Sequence, residues 1–66
     1  MENHIKELRS AKSLSQEALA QKCHVSRQTI NAIENDKYDP SLELAFKLSD
    51  VLGAPIDHIF IHRIQK

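Results

Sequence analysis

Three polar side chains in one short segment could form paired hydrogen bonds with the edges of nucleic-acid bases. They are Arg27, Gln28 and Asn31, in the stretch SRQTIN. An arginine can donate two hydrogen bonds to guanine O6 and N7, and a glutamine or asparagine amide can bond adenine N6 and N7. Each such pair contributes about 1–3 kcal/mol of discrimination between bases. The same residues would also suit an ordinary solvated helix face, so the surrounding sequence must decide.

Two short helices joined by a tight turn are predicted to position these side chains. Ser15 and Ser26 are of the residue type that caps a helix N-terminus. In the second helix, Ile30 and Ile33 form an inward face and leave the three polar residues on other faces. In the first helix, a narrow buried stripe is expected at Ala18, Leu19 and Cys23. We predict helices over 16–23 and 27–35, with His24 and Val25 as the turn.

Amphipathic patterns predict three further helices. The first spans 3–12 with Asn3 as a possible N-cap, and the fourth spans 42–52 between Ser41 and Gly53, with Ala45, Leu48 and Leu52 inward. Pro55 suits the first turn of a short fifth helix.

The tail, 61–66, fits either a continuing helix or a strand, and its isoleucines favour the strand. Because a lone strand is unstable, it would need a partner, for which we expect the same strand of a second copy.

The length of the chain, 66 residues, is enough for one domain over 1–66, with a core over 4–60. A single cysteine excludes an internal disulfide, and such a small core is marginal alone. We therefore expect a homodimer, with 61–66 as a dimerisation tail and Phe60, Ile61 and Ile64 as apolar contacts. No apolar run approaches the roughly 20 residues of a membrane span, and the N-terminus lacks a secretory signal. The expected location is cytoplasmic, with no membrane partner.

The net charge is zero, with nine basic and nine acidic residues. This balance argues against indiscriminate nucleic-acid binding, because the usual footprint of such binding is a strongly basic domain. If DNA is the partner, the basic groups must gather on one face. A protein-interaction module without DNA binding therefore stays open as an alternative.

Catalysis, cofactors and metals are not predicted. The chain has no glycine-rich phosphate loop and is too short for a sizeable enclosed pocket. Cys23 and His24 are adjacent, and His58 and His62 are four residues apart, but no set of four ligands is evident. We expect Cys23 to fill the core and His24 to form the turn.

Four segments in order carry a family resemblance: LSQEALA at 14–20, VSRQTINAIEN at 25–35, KYDPSLELA at 37–45 and LGAPIDHIF at 52–60. With them, about 5–60 resembles the Cro/repressor-type (XRE-like) helix-turn-helix proteins. The resemblance implies an all-α, five-helix, lambda-repressor-like fold, with helix 3 in the major groove and helix 2 across the DNA backbone. The smallest members of that family are stand-alone dimers.

The resemblance also implies residue roles. Arg27, Gln28 and Asn31 would face base edges, and Gln16 would contact phosphate and support Gln28. The resemblance further implies that Arg9 of helix 1 pairs with Glu34 of helix 3 as a structural brace. The full set of expected backbone contacts is Gln16, Ser26, Thr29, Asn35, Lys37 and Tyr38.

This chain departs from the family at three positions. His24 and Asp36 stand where glycine is common, so we expect both to be left-handed. Ala32 stands where relatives often carry a longer base-contacting side chain, although alanine can still touch a thymine methyl.

The function these expectations imply is a sequence-specific, double-stranded-DNA-binding transcription regulator, more specifically a homodimeric repressor. Its two recognition helices would read half-sites of a palindromic operator about one helical turn, roughly 34 Å, apart. Two alternatives share the fold: an antitoxin that also binds a toxin, and a restriction-modification controller.

Overall fold

The computed structural model describes residues 1–62 and shows five helices. No strand occurs within this range, where the one β-type pairing is an isolated antiparallel bridge between Asn3 and Phe60. The prediction of an all-α, five-helix fold is confirmed. The helices are α1 Ile5–Ala11, α2 Gln16–Cys23, α3 Arg27–Glu34, α4 Leu42–Leu52 and α5 Ile56–Ile59.

Serine caps set the starts of the three longest helices. The hydroxyl oxygens of Ser15, Ser26 and Ser41 each accept a hydrogen bond from the amide three residues further on, at 3.0–3.2 Å. This contact satisfies one of the amides that a helix start leaves without a partner. At the other end of α4, Gly53 adopts a left-handed conformation, with φ +66°. These features confirm the predicted boundaries of α2 and α4 and the start of α3.

The start of α1 differs from the prediction. His4, not Asn3, occupies the N-cap, and the Asn3 side chain reaches past it to accept a hydrogen bond from the Ile5 amide at 3.1 Å. The reason is that the chain before α1 runs beside α5, where the His4 amide donates to the Ile59 carbonyl at 2.7 Å. The N-cap therefore lies one residue later than the polar pattern indicates.

The core lies where α2 packs on α3 and α4 and where α5 closes over α4. Fully burying an aliphatic side chain contributes about 1.5–3 kcal/mol, so this cluster supplies most of the favourable free energy. In α2 the buried residues are Leu19, Ala20 and Cys23, whereas Ala18, which the sequence placed in the stripe, is half-buried. The largest fully buried side chains are Ile5, Leu19, Ile30, Ile33, Leu48, Ile59 and Cys23.

The C-terminal segment pairs with the N-terminus of the same chain. The Ile61 amide donates to the Glu2 carbonyl at 2.9 Å, next to the bridge between Asn3 and Phe60. At Phe60 and Ile61 the pairing partner is therefore the chain itself, where the sequence led us to expect a second copy. The end of the predicted strand, 63–66, which includes Ile64, lies outside the described residues. No helix formed by residues 1–62 is long and apolar enough to cross a membrane.

Candidate nucleic-acid interface

The turn before α3 contains a non-glycine residue in the left-handed conformation. His24 has φ 60° and ψ 38°, and backbone hydrogen bonds from His24 to Gln21 and from Val25 to Ala20 close the turn. Asp36, after α3, has φ 61°, so both expected left-handed positions are confirmed. Ser13, at φ 56°, is a third such residue that the sequence did not single out. Of the three, the His24 turn is the one that joins α2 to α3 and sets the angle between them.

One face of α3 is buried and the other carries the predicted base-reading residues. Ile30 and Ile33 are at most 1% exposed, while Arg27, Gln28 and Asn31 are all exposed. Because the inward face is fixed by the core, the outward face has a defined orientation. The structure therefore places these three polar side chains together on a single rigid surface.

Two of the residues expected to contact the DNA backbone are hydrogen-bonded to each other at the start of α3. The hydroxyls of Ser26 and Thr29 are 3.0 Å apart, and the Ser26 hydroxyl also accepts from the Thr29 amide at 3.2 Å. Ser26 is exposed and Thr29 is half-buried. Arg27, which follows the cap, brings a positive charge to this end of the helix.

A nearly buried ion pair joins α1 to the end of α3. Arg9 Nε lies 2.8 Å from Glu34 Oε2, and Arg9 Nη2 donates to Glu34 Oε1 at 3.2 Å. The two side chains are 14% and 6% exposed. Arg9 Nη1 also donates to the Leu14 carbonyl at 3.0 Å, and the hydrogen bond to Glu34 raises the pKa of Arg9. Charge-assisted paired bonds of this kind fix both orientation and distance, so α3 is held against α1.

Gln16 extends this network to the exposed face of α3. Its Nε2 donates to Glu34 Oε1 at 3.1 Å and to Asn31 Oδ1 at 3.2 Å. Asn35 Nδ2 donates to the Asn31 carbonyl at 2.9 Å and to Asn31 Oδ1 at 3.3 Å. We expected Gln16 to support Gln28, but it bonds Asn31, because Asn31 and Glu34 are one turn apart on the side of α3 that faces the start of α2.

The loop after α3 is tied down by the N-terminal segment. Asn3 Nδ2 donates to the Ile33 carbonyl at 2.8 Å and to Asp36 Oδ1 at 3.3 Å. The Met1 amine lies 2.9 Å from Asp39, and this hydrogen bond raises the pKa of the amine. The loop presents two expected backbone contacts, Lys37 and Tyr38, both exposed. Sequence patterns missed the Asn3 contact because it spans 30 residues and leaves no periodic signal.

Comparison with known proteins identifies the family. A family model described as Helix-turn-helix matches residues 5–59, most of the chain. The chain belongs to the XRE-type helix-turn-helix family of DNA-binding transcription regulators.

Relatives and solved structures of this family match over most of their length. The chain is 55% identical over 62 residues to an uncharacterized HTH-type transcriptional regulator of Methanocaldococcus jannaschii, MJ0272, covering 94% of each chain. It is 46% identical to one from Archaeoglobus fulgidus, covering 92% of this chain and 86% of the relative. The fold matches the restriction-modification controller protein C.AhdI from Aeromonas hydrophila with a TM-score of 0.78, 34% identity and 85% coverage of both chains.

An apolar groove lies on another side of this helix-turn-helix regulator. Leu42 and Phe46, one turn apart on α4, are 70% and 59% exposed and stand beside an open groove of about 1020 Å³. Of the predicted dimer contacts, Ile61 is half-buried and lines the groove. Phe60 also lines it but is only 7% exposed, because its ring packs in the core of its own chain. The sequence signal that could have revealed this surface is the pair Leu42 and Phe46, which falls outside the inward stripe of α4.

The histidines and the cysteine do not form a cluster. Helix α5 ends at Ile59, between His58 and His62, so their spacing is not that of a continuous helix. Cys23 is fully buried while His24 is exposed, and burial raises the pKa of the Cys23 thiol. Within residues 1–62, no group of three histidine, cysteine or acidic side chains could hold a metal ion.

Proposed function

We propose that this regulator reads double-stranded DNA by placing α3 in the major groove, with Arg27, Gln28 and Asn31 on base edges. The observation that carries the proposal is the exposure of all three residues on a helix whose opposite face is fully buried. The ion pair of Arg9 and Glu34 supports it, because base recognition requires side chains held on a rigid element.

Contacts with the DNA backbone would surround this face. Backbone amides at the starts of α2 and α3 suit phosphate oxygens, since the partial positive charge of a helix lies at its N-terminus. Lys37 adds a positive charge beyond the other end of α3, which gives a basic group at each end of the reading helix despite the zero net charge. The proposed backbone contacts are Gln16, Ser26, Thr29, Asn35, Lys37 and Tyr38.

The regulator would act as a homodimer on a palindromic operator. Leu42 and Phe46 protrude beside a groove lined by Ile56 and Ile61, and a two-fold interface needs such a self-complementary surface. The same groove is lined by Asp39 and Pro40, from the loop that follows α3, so association there would relate the two reading helices directly. Phe60 and Ile64 stay in the proposal as further apolar contacts. Covering a promoter with such a dimer would repress transcription.

A controller of restriction-modification genes is the second candidate. The observation that favours it is the match to C.AhdI, a restriction-modification controller protein, over 85% of both chains. A methyltransferase gene and an endonuclease gene next to this regulator would support that role, whereas a small toxin gene would indicate an antitoxin instead.

Selection of binding sites from random DNA, followed by footprinting at several salt concentrations, tests the main proposal. We expect two symmetric half-sites one helical turn apart. A plot of the logarithm of the binding constant against the logarithm of the salt concentration should fall with a slope of about −0.9 for each phosphate contact. Arg27→Ala should cost about 1–3 kcal/mol and relax one base position, whereas Lys37→Ala should weaken all sites equally. Lys6→Ala removes the same charge from an exposed site on α1 and is the matched control. A selection that returns no sequence would refute DNA reading. A site with a single half-site would refute the dimer.

A further inference from the structure

The side-chain amide of Asn31 is oriented before any DNA is bound. Its carbonyl oxygen, Oδ1, accepts one hydrogen bond from Gln16 Nε2 and another from Asn35 Nδ2. A carbonyl oxygen has two lone pairs, so both are occupied. Asn31 is exposed, and its Nδ2 makes no hydrogen bond within residues 1–62. The group left for an incoming base is therefore a donor.

The two neighbours that orient Asn31 are themselves anchored. Gln16 uses its second amide hydrogen on Glu34 Oε1, and the Glu34 carboxylate is fixed by Arg9. Asn35 also donates to the Asn31 backbone carbonyl at 2.9 Å, which holds its amide over the last turn of α3. Rotating the Asn31 amide would break two hydrogen bonds whose other partners stay in place.

A donor-only amide distinguishes guanine from adenine. The paired contact of an asparagine with adenine needs Oδ1 to accept from N6 while Nδ2 donates to N7. Guanine instead presents two acceptors, O6 and N7, to which the two hydrogens of Nδ2 can be donated. With Oδ1 engaged, adenine keeps a single bond at N7.

Resting on the proposed function, we propose that Asn31 selects guanine over adenine at its base pair, with Gln16 and Asn35 as the positioning residues that set this choice. This inference reverses the adenine preference that the residue type alone suggests. The preference should be about tenfold, the order expected when one base gains a hydrogen bond that the other can gain only by displacing existing ones.

The test begins by locating the base pair that Asn31 reads. Sites are selected from random DNA with the full chain, and the position at which Asn31→Ala loses preference is identified. Guanine is expected there on one strand. Binding is then measured on paired duplexes that differ only by guanine or adenine at that position.

Variants that release Oδ1 should change the ratio of the two affinities. Asn35→Ala leaves the bond between Gln16 and Glu34 intact and should reduce the guanine preference severalfold. The double variant Gln16→Ala/Asn35→Ala should bring the two affinities to equality or favour adenine. Gln16 and Asn35 are also proposed contacts with the DNA backbone, so overall affinity should fall in these variants, but a lost backbone contact weakens both duplexes equally. Lys37→Ala is the control that lowers affinity without moving the ratio, and far-UV circular dichroism shows that each variant is folded.

Three results would overturn the inference. They are adenine at the Asn31 position in the wild-type site, an unchanged ratio in the folded double variant, and no position relaxed by Asn31→Ala. A wild-type selection that returns no sequence would instead overturn the proposed function itself.

Discussion

Removal of the Glu34 carboxylate should destabilise this protein far more than removal of an exposed charge. Glu34→Ala deletes two hydrogen bonds from Arg9 and one from Gln16. It also leaves the Arg9 guanidinium, only 14% exposed, without its counter-charge. The cost therefore contains both the lost bonds and the burial of an unpaired cation.

The expected loss is about 3–5 kcal/mol, the range for removing one partner of a buried ion pair. An exposed pair would cost only about 0.2–1 kcal/mol. At about 0.05–0.15 kcal/mol per residue, a chain of this size has roughly 3–10 kcal/mol of total stability. Glu34→Ala should therefore lose a third or more of it and be partly unfolded near room temperature if the total is at the lower end.

Urea denaturation followed by far-UV circular dichroism is the appropriate assay, because the chain has no tryptophan. The matched control is Glu7→Ala, which removes a contact with His4 at 3.9 Å between side chains that are 70% and 51% exposed. This control should change stability by less than about 0.5 kcal/mol. The double variant Arg9→Met/Glu34→Leu should recover most of the loss, because apolar residues can replace a buried pair without leaving an unpaired charge.

The reasoning is refuted if Glu34→Ala costs less than about 1 kcal/mol, or if the free-energy changes of Arg9→Met and Glu34→Leu are additive. Either result would mean that water screens the pair as it screens a surface contact.

Three further predictions concern stability. His24→Gly should raise stability by about 0.5–1 kcal/mol, since glycine tolerates the left-handed turn better, and a melting temperature at or below that of wild type would contradict it. Asn3→Ala should cost about 1–2 kcal/mol in urea unfolding because it frees the Ile33 carbonyl and the Ile5 amide, whereas exposed Lys6→Ala should cost almost nothing. Burial raises the pKa of the Cys23 thiol, so the folded chain keeps the thiol protonated at a pH where the unfolded chain, whose thiol has a pKa near 9.0, ionises it. The free energy of unfolding should therefore fall as the pH rises above that value. This fall should be smaller in Cys23→Ala. If wild type and Cys23→Ala lose stability in parallel above that pH, the thiol is not the cause.

The sequence alone determined the features that depend on near neighbours. Ser15, Ser26 and Ser41 each satisfy an amide three residues away, so helix starts could be predicted from a few positions. Gly53 follows an equally local rule, whereas the left-handed His24 was expected from the family resemblance, in which glycine is common at that position. The inward isoleucines of α3 were evident from helical periodicity, and with them the exposure of the three polar residues opposite.

Only the tertiary structure decided how those local elements use their polar groups. Asn3 has the residue type of a helix cap, yet its amide holds the end of α3, 30 residues away. Phe60 was predicted to contact a second copy, which stays a proposal; what the structure adds is that Phe60 pairs with the N-terminal segment and packs in the core of its own chain, with 7% of its surface exposed. Gln16 turned out to bond Asn31 and Glu34 because the packing of α2 on α3 brings the start of α2 beside that side of α3. Contacts of this kind depend on how helices pack, and packing brings together side chains whose separation in sequence carries no periodic signal.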